Sequence, residues 1–296
     1  MSDHTLIAFD YAIKYLLKDK GDYEIVEGFI SALLTSQGYG QVKIKALLES
    51  ESNREDKGLK RSIADVIVED EQGHKYIVEI DRSYTNLFLH KACFNTSRLI
   101  IDSITSNEDY STIKKVFHIN LLYFPFADMK SPLYHGKTII REVDNEHPVN
   151  VHLMDAGMRT FDAYNVLPEY FIISVPLFDD IIKKEIDEWL YVMKHSEVKE
   201  DFKSPYMKKV AERLSKLKMN TAELNVYNEY MNKSLKERDY IVSAEEKGRN
   251  EGIEKGIEKG IEKVAINMLQ KNKSIQDIID ATGLSEEEII KLKNNL

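Results

Sequence analysis

Two short runs rich in β-branched residues, Ile63–Glu69 and Tyr76–Asp81, flank the turn-forming string Asp70-Glu71-Gln72-Gly73. Such a pattern reads as a β-hairpin. With its symmetry point near Gln72, Asp65 stands directly opposite Glu79. Strand alternation gathers Ile63, Asp65, Ile67, Ile77, Glu79 and Asp81 on one face and Val66, Val68, Val78 and Ile80 on the other. Both faces are rich in apolar residues, which predicts a hairpin placed centrally in a sheet. Carboxylates therefore converge in an apolar setting. Like charges directly opposite each other destabilise a sheet, and a buried carboxylate without a partner costs more. A bound divalent cation removes that penalty, and such an ion is the working part of many phosphodiester hydrolases.

The chain has 296 residues, enough for one large domain with an appendage, and its 43% hydrophobic content allows a sizeable core. No apolar run approaches the ~18 residues of a membrane span, so no membrane association is expected. The opening MSDHTLIAFD has no basic stretch followed by an apolar one, and no secretory signal is read there. Cys93 is the only cysteine. A disulfide framework is thereby excluded, and a reducing, cytoplasmic setting fits. Net charge is −9. The chain as a whole lacks the broad basic footprint of most nucleic-acid binders, which argues against tight nonspecific nucleic-acid binding and leaves room only for a local basic cleft.

Periodicity predicts helices over Phe9–Leu17, Tyr23–Leu34, Leu87–Ser106 and Asp179–Met193, and strands over Val42–Leu48, Val116–Phe124 and Tyr170–Val175. Lys130–Asn150 reads as turns, and helical patterns dominate from Lys208 onward. The expected fold is α/β, a mixed central sheet flanked by helices with a helical C-terminal tail. The expected division is a domain over 1–235 and a tail over 236–296.

Within the tail, Gly252, Gly256 and Gly260 recur beside Ile253, Ile257 and Ile261. Each glycine costs about 1 kcal/mol against alanine in a helix. Two readings stand: a close helix–helix contact along the small-residue stripe, most simply with a second copy of the chain, or a partly frayed linker. Beyond it, Ser274–Asp277 and Ser285–Glu288 have the form of helix N-caps around the turn Thr282-Gly283-Leu284. Paired short helices of this kind suggest a helix-turn-helix. The second begins with Glu286, Glu287 and Glu288, which suits an interaction module better than phosphate contact.

The hairpin segment IADVIVEDEQGHKYIVEIDRSY resembles the core signature of the PD-(D/E)XK nuclease superfamily. FDYAIKYLLKDKGDYEIVEGFISALL before it, LHKACFNTSRLIIDSI after it and the GIEK-containing tail are similar to the Rpn-type, transposase-like branch. The resemblance implies a PD-(D/E)XK-like fold. It also implies a metal-dependent DNA endonuclease linked to recombination, mobile elements or defence. Asp65 and Glu79 would hold Mg²⁺, for which Mn²⁺ substitutes, with Asp81 and the backbone carbonyl of Ile80 as further ligands. The family pattern has a basic or amide residue two positions after the glutamate, where this chain has Asp81. Lys91, on the following helix, is the expected replacement, because relocated lysines occur in the superfamily. Arg82 should point to the opposite face. Glu27, Asp10, Lys14, Lys60 and Arg61 are further candidates for the cleft, each also readable as a solvated surface group.

Other chemistries find no support. The histidines lack zinc-type spacing, and no phosphate-binding glycine loop or nucleophile elbow occurs. The alternative function is a catalytically inactive nuclease fold used as a protein- or DNA-interaction module.

Overall fold

Asp70 organises the hairpin turn. Its carboxylate accepts hydrogen bonds from the backbone N–H of Gln72 and His74 and from the Tyr76 hydroxyl, at 2.9, 2.8 and 2.9 Å. Gly73 takes the left-handed φ of 83° that the reversal requires. The strands β2 (Val66–Asp70) and β3 (Lys75–Asp81) pair antiparallel, with Val66 opposite Val78 and Ile67 opposite Ile77. That register is centred on Gln72, as the sequence pattern predicts, and its continuation sets Asp65 against Glu79.

The computed structural model describes residues 8–9, 11–12, 23–48, 65–82, 84–85, 87–153, 157–160, 165–215 and 219–294. Besides the hairpin these contain α1 (Glu24–Thr35), β1 (Ile44–Leu48), α2 (Phe88–Asp102), β4 (Val116–Leu122) and β5 (Leu133–Gly136). There follow β6 (Asn150–Leu153), β7 (Gly157–Thr160), β8 (Glu169–Ser174), α3 (Glu185–His195) and α4 (Met207–Arg213). The chain ends in α5 (Thr221–Gln270), α6 (Ile275–Thr282) and α7 (Glu286–Asn294). It forms two compact units, Met1–Ser234 and Leu235–Leu296.

In the first unit a six-stranded sheet has the order β1-β2-β3-β4-β8-β5. Strands β3, β4 and β8 run parallel, and the hairpin partners and β5 run antiparallel to their neighbours. The sheet is therefore mixed, with the hairpin inside it. One face packs Val66, Val68, Val78, Ile80, Ile119 and Leu121 into the main core shared with α1 and α3. The opposite face carries a smaller cluster of Ile67, Ile77 and Val116 against Leu99 and Ile100, and another around Phe88 and Leu122. Helix α2 thus touches that face through apolar residues at both ends.

Several boundaries differ from expectation. Leu133–Gly136 pairs at the sheet edge within the segment expected to be turns, since so short a strand leaves little alternation to read. Helix α3 starts at Glu185 rather than Asp179. Asp180 has a φ of 64°, incompatible with a helix, and its carboxylate meets Lys194 and His195 instead. Most of the predicted helix Phe9–Leu17, including Asp10 and Lys14, lies outside the described residues, as do Lys60, Arg61 and Ile63. No helix among the described residues is long and apolar enough to cross a membrane.

In the second unit, Ala265, Ile278 and Ile289 form a small buried core. Ser274 caps α6, its side chain accepting from the Asp277 N–H, and Gly283 ends that helix in the left-handed conformation at φ 71°. Ser285 and Glu288 exchange backbone-to-side-chain bonds in the same manner at the start of α7. The glycine repeat lies within α5, and nothing within 4 Å would meet a Cβ at Gly252, Gly256 or Gly260.

Candidate metal and catalytic centre

At the C-terminal end of β3, the alternation turns Glu79 and Asp81 toward α2. Glu79 is fully buried. Its Oε1 accepts a hydrogen bond from the Asn95 side-chain amide, and its Oε2 lies 3.3 Å from Lys91 Nζ. The same ammonium is 3.3 Å from Asp81 Oδ1. Asp65 reaches across the hairpin, and its Oδ2 accepts from the Ile80 N–H at 2.8 Å. That bond pins Asp65 beside the strand that carries the other two carboxylates. Asp65, Glu79, Asp81 and Lys91 are thereby brought together. Ile80 contributes its N–H to this arrangement, while its side chain packs in the main core on the far face. Arg82 stacks over the Tyr123 ring at 4.8 Å.

Burial works to raise the Glu79 carboxyl. The His118 ring, the Lys91 ammonium and the Asn95 amide more than offset it, so Glu79 is held below the ordinary carboxylate range. Asp81 goes the other way. Burial pushes it up, helped by the charge of Glu79 and only partly opposed by Lys91. Burial disfavours the charged Lys91, yet the charges of Glu79, Asp81 and Asp65 outweigh that and raise it.

Glu27 is not part of this group. It is buried on α1, where it accepts from Lys43 Nζ at 3.1 Å and from the Ile44 N–H at 2.9 Å. Ile44 pairs with Asp70 at the turn end of the hairpin, about 16 Å along the strand from Asp65 at ~3.3 Å per residue. Its role is to satisfy the first N–H of β1 and to pair a lysine.

Four further polar residues surround Glu79. Asn120 is its register partner on β4, and His118 lies two positions earlier on the same face, opposite Ile77. Both are fully buried. Asn95 and Thr96 sit on the inward stripe of α2 with Phe88 and Ala92. The signal for them is visible in the sequence. In VFHINLL two polar residues two apart interrupt a buried strand, and in α2 polar residues occupy positions that helical spacing assigns to the apolar stripe. A search for zinc-type spacing passes over His118, because its partners come from other elements.

The donors suit a hard cation in kind, being carboxylate oxygens. Oε2 of Glu79 and Oδ2 of Asp81 are buried without a hydrogen-bond partner. Among the described residues no three His, Cys, Asp or Glu side chains close around a common point. Mg²⁺ does not require that, since it keeps several waters and takes one or two carboxylates.

A mixed sheet with carboxylates at the end of a central hairpin and a lysine on the covering helix defines the class, a nuclease-like α/β fold. A family model described as PD-(D/E)XK nuclease family transposase matches residues 7–244, and the chain belongs to that family. Comparison with curated proteins and with solved structures returns no match.

Proposed function

We propose that the protein is a metal-dependent endonuclease that cleaves DNA by hydrolysis of the phosphodiester. The observation that carries this reading is the convergence of Asp65, Glu79, Asp81 and Lys91 on one end of β3, in a chain of a nuclease-fold family. Asp65 and Glu79 would hold the ion, with Asp81 and the Ile80 carbonyl as further donors. Once bound, Mg²⁺ or Mn²⁺ supplies a water of lowered pKa and charge stabilisation at the phosphate. Asn95 orients the Glu79 carboxylate, and Lys91 places a positive charge where the family pattern has a basic or amide residue and this chain has Asp81. In this reading DNA is the partner, a cytoplasmic setting fits the single cysteine, and the tail mediates self-association. A role in recombination, mobile elements or defence belongs to the same proposal, as does the division into a nuclease-like domain and a tail module.

The test is nicking of supercoiled plasmid by the purified chain. Cleavage is expected with Mg²⁺ or Mn²⁺ and none with EDTA. Asp65→Ala and Glu79→Ala should each abolish it with an unchanged circular dichroism spectrum, and full activity in either variant would sink the site. Asp81 and the net charge of −9 favour a second reading, an inactive nuclease fold serving as an interaction module. Wild-type protein that binds DNA or protein but never cuts would establish it.

A further inference from the structure

His118 is the one buried histidine of β4, and its ring is held from two sides. Its Nδ1 lies 2.7 Å from Thr96 Oγ1. Tyr170, its register partner on β8, stacks against the ring with centroids 5.9 Å apart at 25°. The other nitrogen, Nε2, has no hydrogen-bond partner and points at Glu79 Oε2 from 3.7 Å, an oxygen that also lies 3.3 Å from Lys91 Nζ. The His118 and Glu79 side chains are both wholly shielded from water.

The proton positions follow from counting donors. An unprotonated Nε2 would set a lone pair against a carboxylate oxygen in a dry interior. A protonated Nε2 turns the same approach into an attraction, and a small ring rotation brings it to the ~2.9 Å of an N–H···O bond. Thr96 has a single hydroxyl proton. Given to His118 Nδ1 at 2.7 Å, that proton leaves the ring hydrogen on Nε2. The chain Thr96, His118, Glu79 then runs with every donor facing an acceptor.

We infer that His118 is a positioning residue that donates Nε2–H to Oε2 of Glu79, with Thr96 fixing the tautomer through Nδ1. Glu79 then receives Asn95 on one oxygen and His118 beside Lys91 on the other, and its rotamer is set before any ion arrives. Carboxylates that ligate metals are commonly held in this way by outer partners. The consequence for metal binding rests on the reading of Glu79 as a metal-holding group, but the hydrogen bond does not.

Two measurements on the full chain test this. The first is nitrogen-15 NMR of the histidine rings, with the His118 signals assigned by their loss in His118→Gln. A proton on Nε2 is expected, with Nδ1 unprotonated, and Thr96→Val should let the Nδ1–H form appear. A ring whose Nε2 bears no proton overturns the inference. The second is Mn²⁺ binding by calorimetry. His118→Leu should bind about 10- to 100-fold more weakly, and His118→Gln, whose amide reaches the place of Nε2, should recover most of the loss. Wild-type affinity in His118→Leu overturns the positioning role. Failure of the nuclease reading looks different: wild-type protein would neither bind Mn²⁺ through Glu79 nor cut DNA, while the tautomer still decides the hydrogen bond.

Discussion

Lys91 sets the charge balance of the centre. Three carboxylates approach one another there, and the sequence pattern alone predicts a repulsion that only a cation relieves. The chain carries part of that relief itself, because one ammonium lies 3.3 Å from both Glu79 and Asp81. Removing it leaves a fully buried carboxylate without its ammonium partner, at a cost of about 1–3 kcal/mol for an unsatisfied buried group and more for a charged one. Lys91→Ala is therefore expected to melt lower than wild type without metal, and Mn²⁺ should raise its melting temperature by more than it raises that of wild type. Turnover on plasmid should drop by orders of magnitude while Mn²⁺ affinity does not fall. Wild-type turnover in Lys91→Ala would show that the lysine is only a structural counterion.

At the scale of elements, two helices and a strand show how tightly the scaffold is fitted. Helix α1 passes α3 at Gly28, where an added Cβ would lie 2.5 Å from Tyr206 Cγ and 2.9 Å from Trp189 Cζ2. The glycine lowers helix propensity, and close approach is what it makes possible. Gly28→Ala should cost about 1–3 kcal/mol by overpacking, read as a lower urea midpoint at unchanged slope. An unchanged midpoint would mean that the rings shift at no cost. On β8, burial works to raise the Glu169 carboxyl, but Lys115, Tyr39 and His135 more than offset it and hold it below its usual value. Their contacts are each 2.7 Å. A depressed carboxyl stabilises the fold fully above its unfolded pKa, about 4.3 for glutamate, and the contribution is lost as pH falls through the folded value. Glu169→Gln should therefore lower stability at pH 7 and flatten its decline between about pH 5 and the acid limit. A parallel pH profile in the two proteins would contradict this.

The elements also explain what a reader of the sequence could recover. The hairpin register was legible because a turn signal fixed its centre and a period of two did the rest. The pairing of Asp65 with the strand of Glu79 follows from that alone. Lys91 was legible from the resemblance rather than from spacing. His118, Asn120, Asn95 and Thr96 were readable as polar breaks in buried patterns, but their convergence depends on a parallel β3–β4 register and on how α2 crosses the sheet. Glu27 was ambiguous because its partners, Lys43 and Ile44, lie on another element.

For the whole molecule, the net charge of −9 and the second unit pose one question, how such a chain engages DNA. A helix of 50 residues, Thr221–Gln270, carries the glycine repeat with open space at each glycine, and Ile253 and Ile257 are exposed beside them. Three glycines cost that helix about 3 kcal/mol against alanine, and burial of the isoleucines against a partner would offset it. The simplest partner is the same segment of a second chain, in a symmetric contact. A chain ending near Ser243 should then keep its fold and its metal response but become monomeric, while the full chain self-associates. Cleavage should shift from double-strand breaks toward nicks, because two centres acting together cut both strands and one alone cuts one. Light scattering on both chains decides it. If the full chain is monomeric at tens of micromolar, where contacts of about 6–7 kcal/mol become visible, the repeat has no self-association role and serves as a linker.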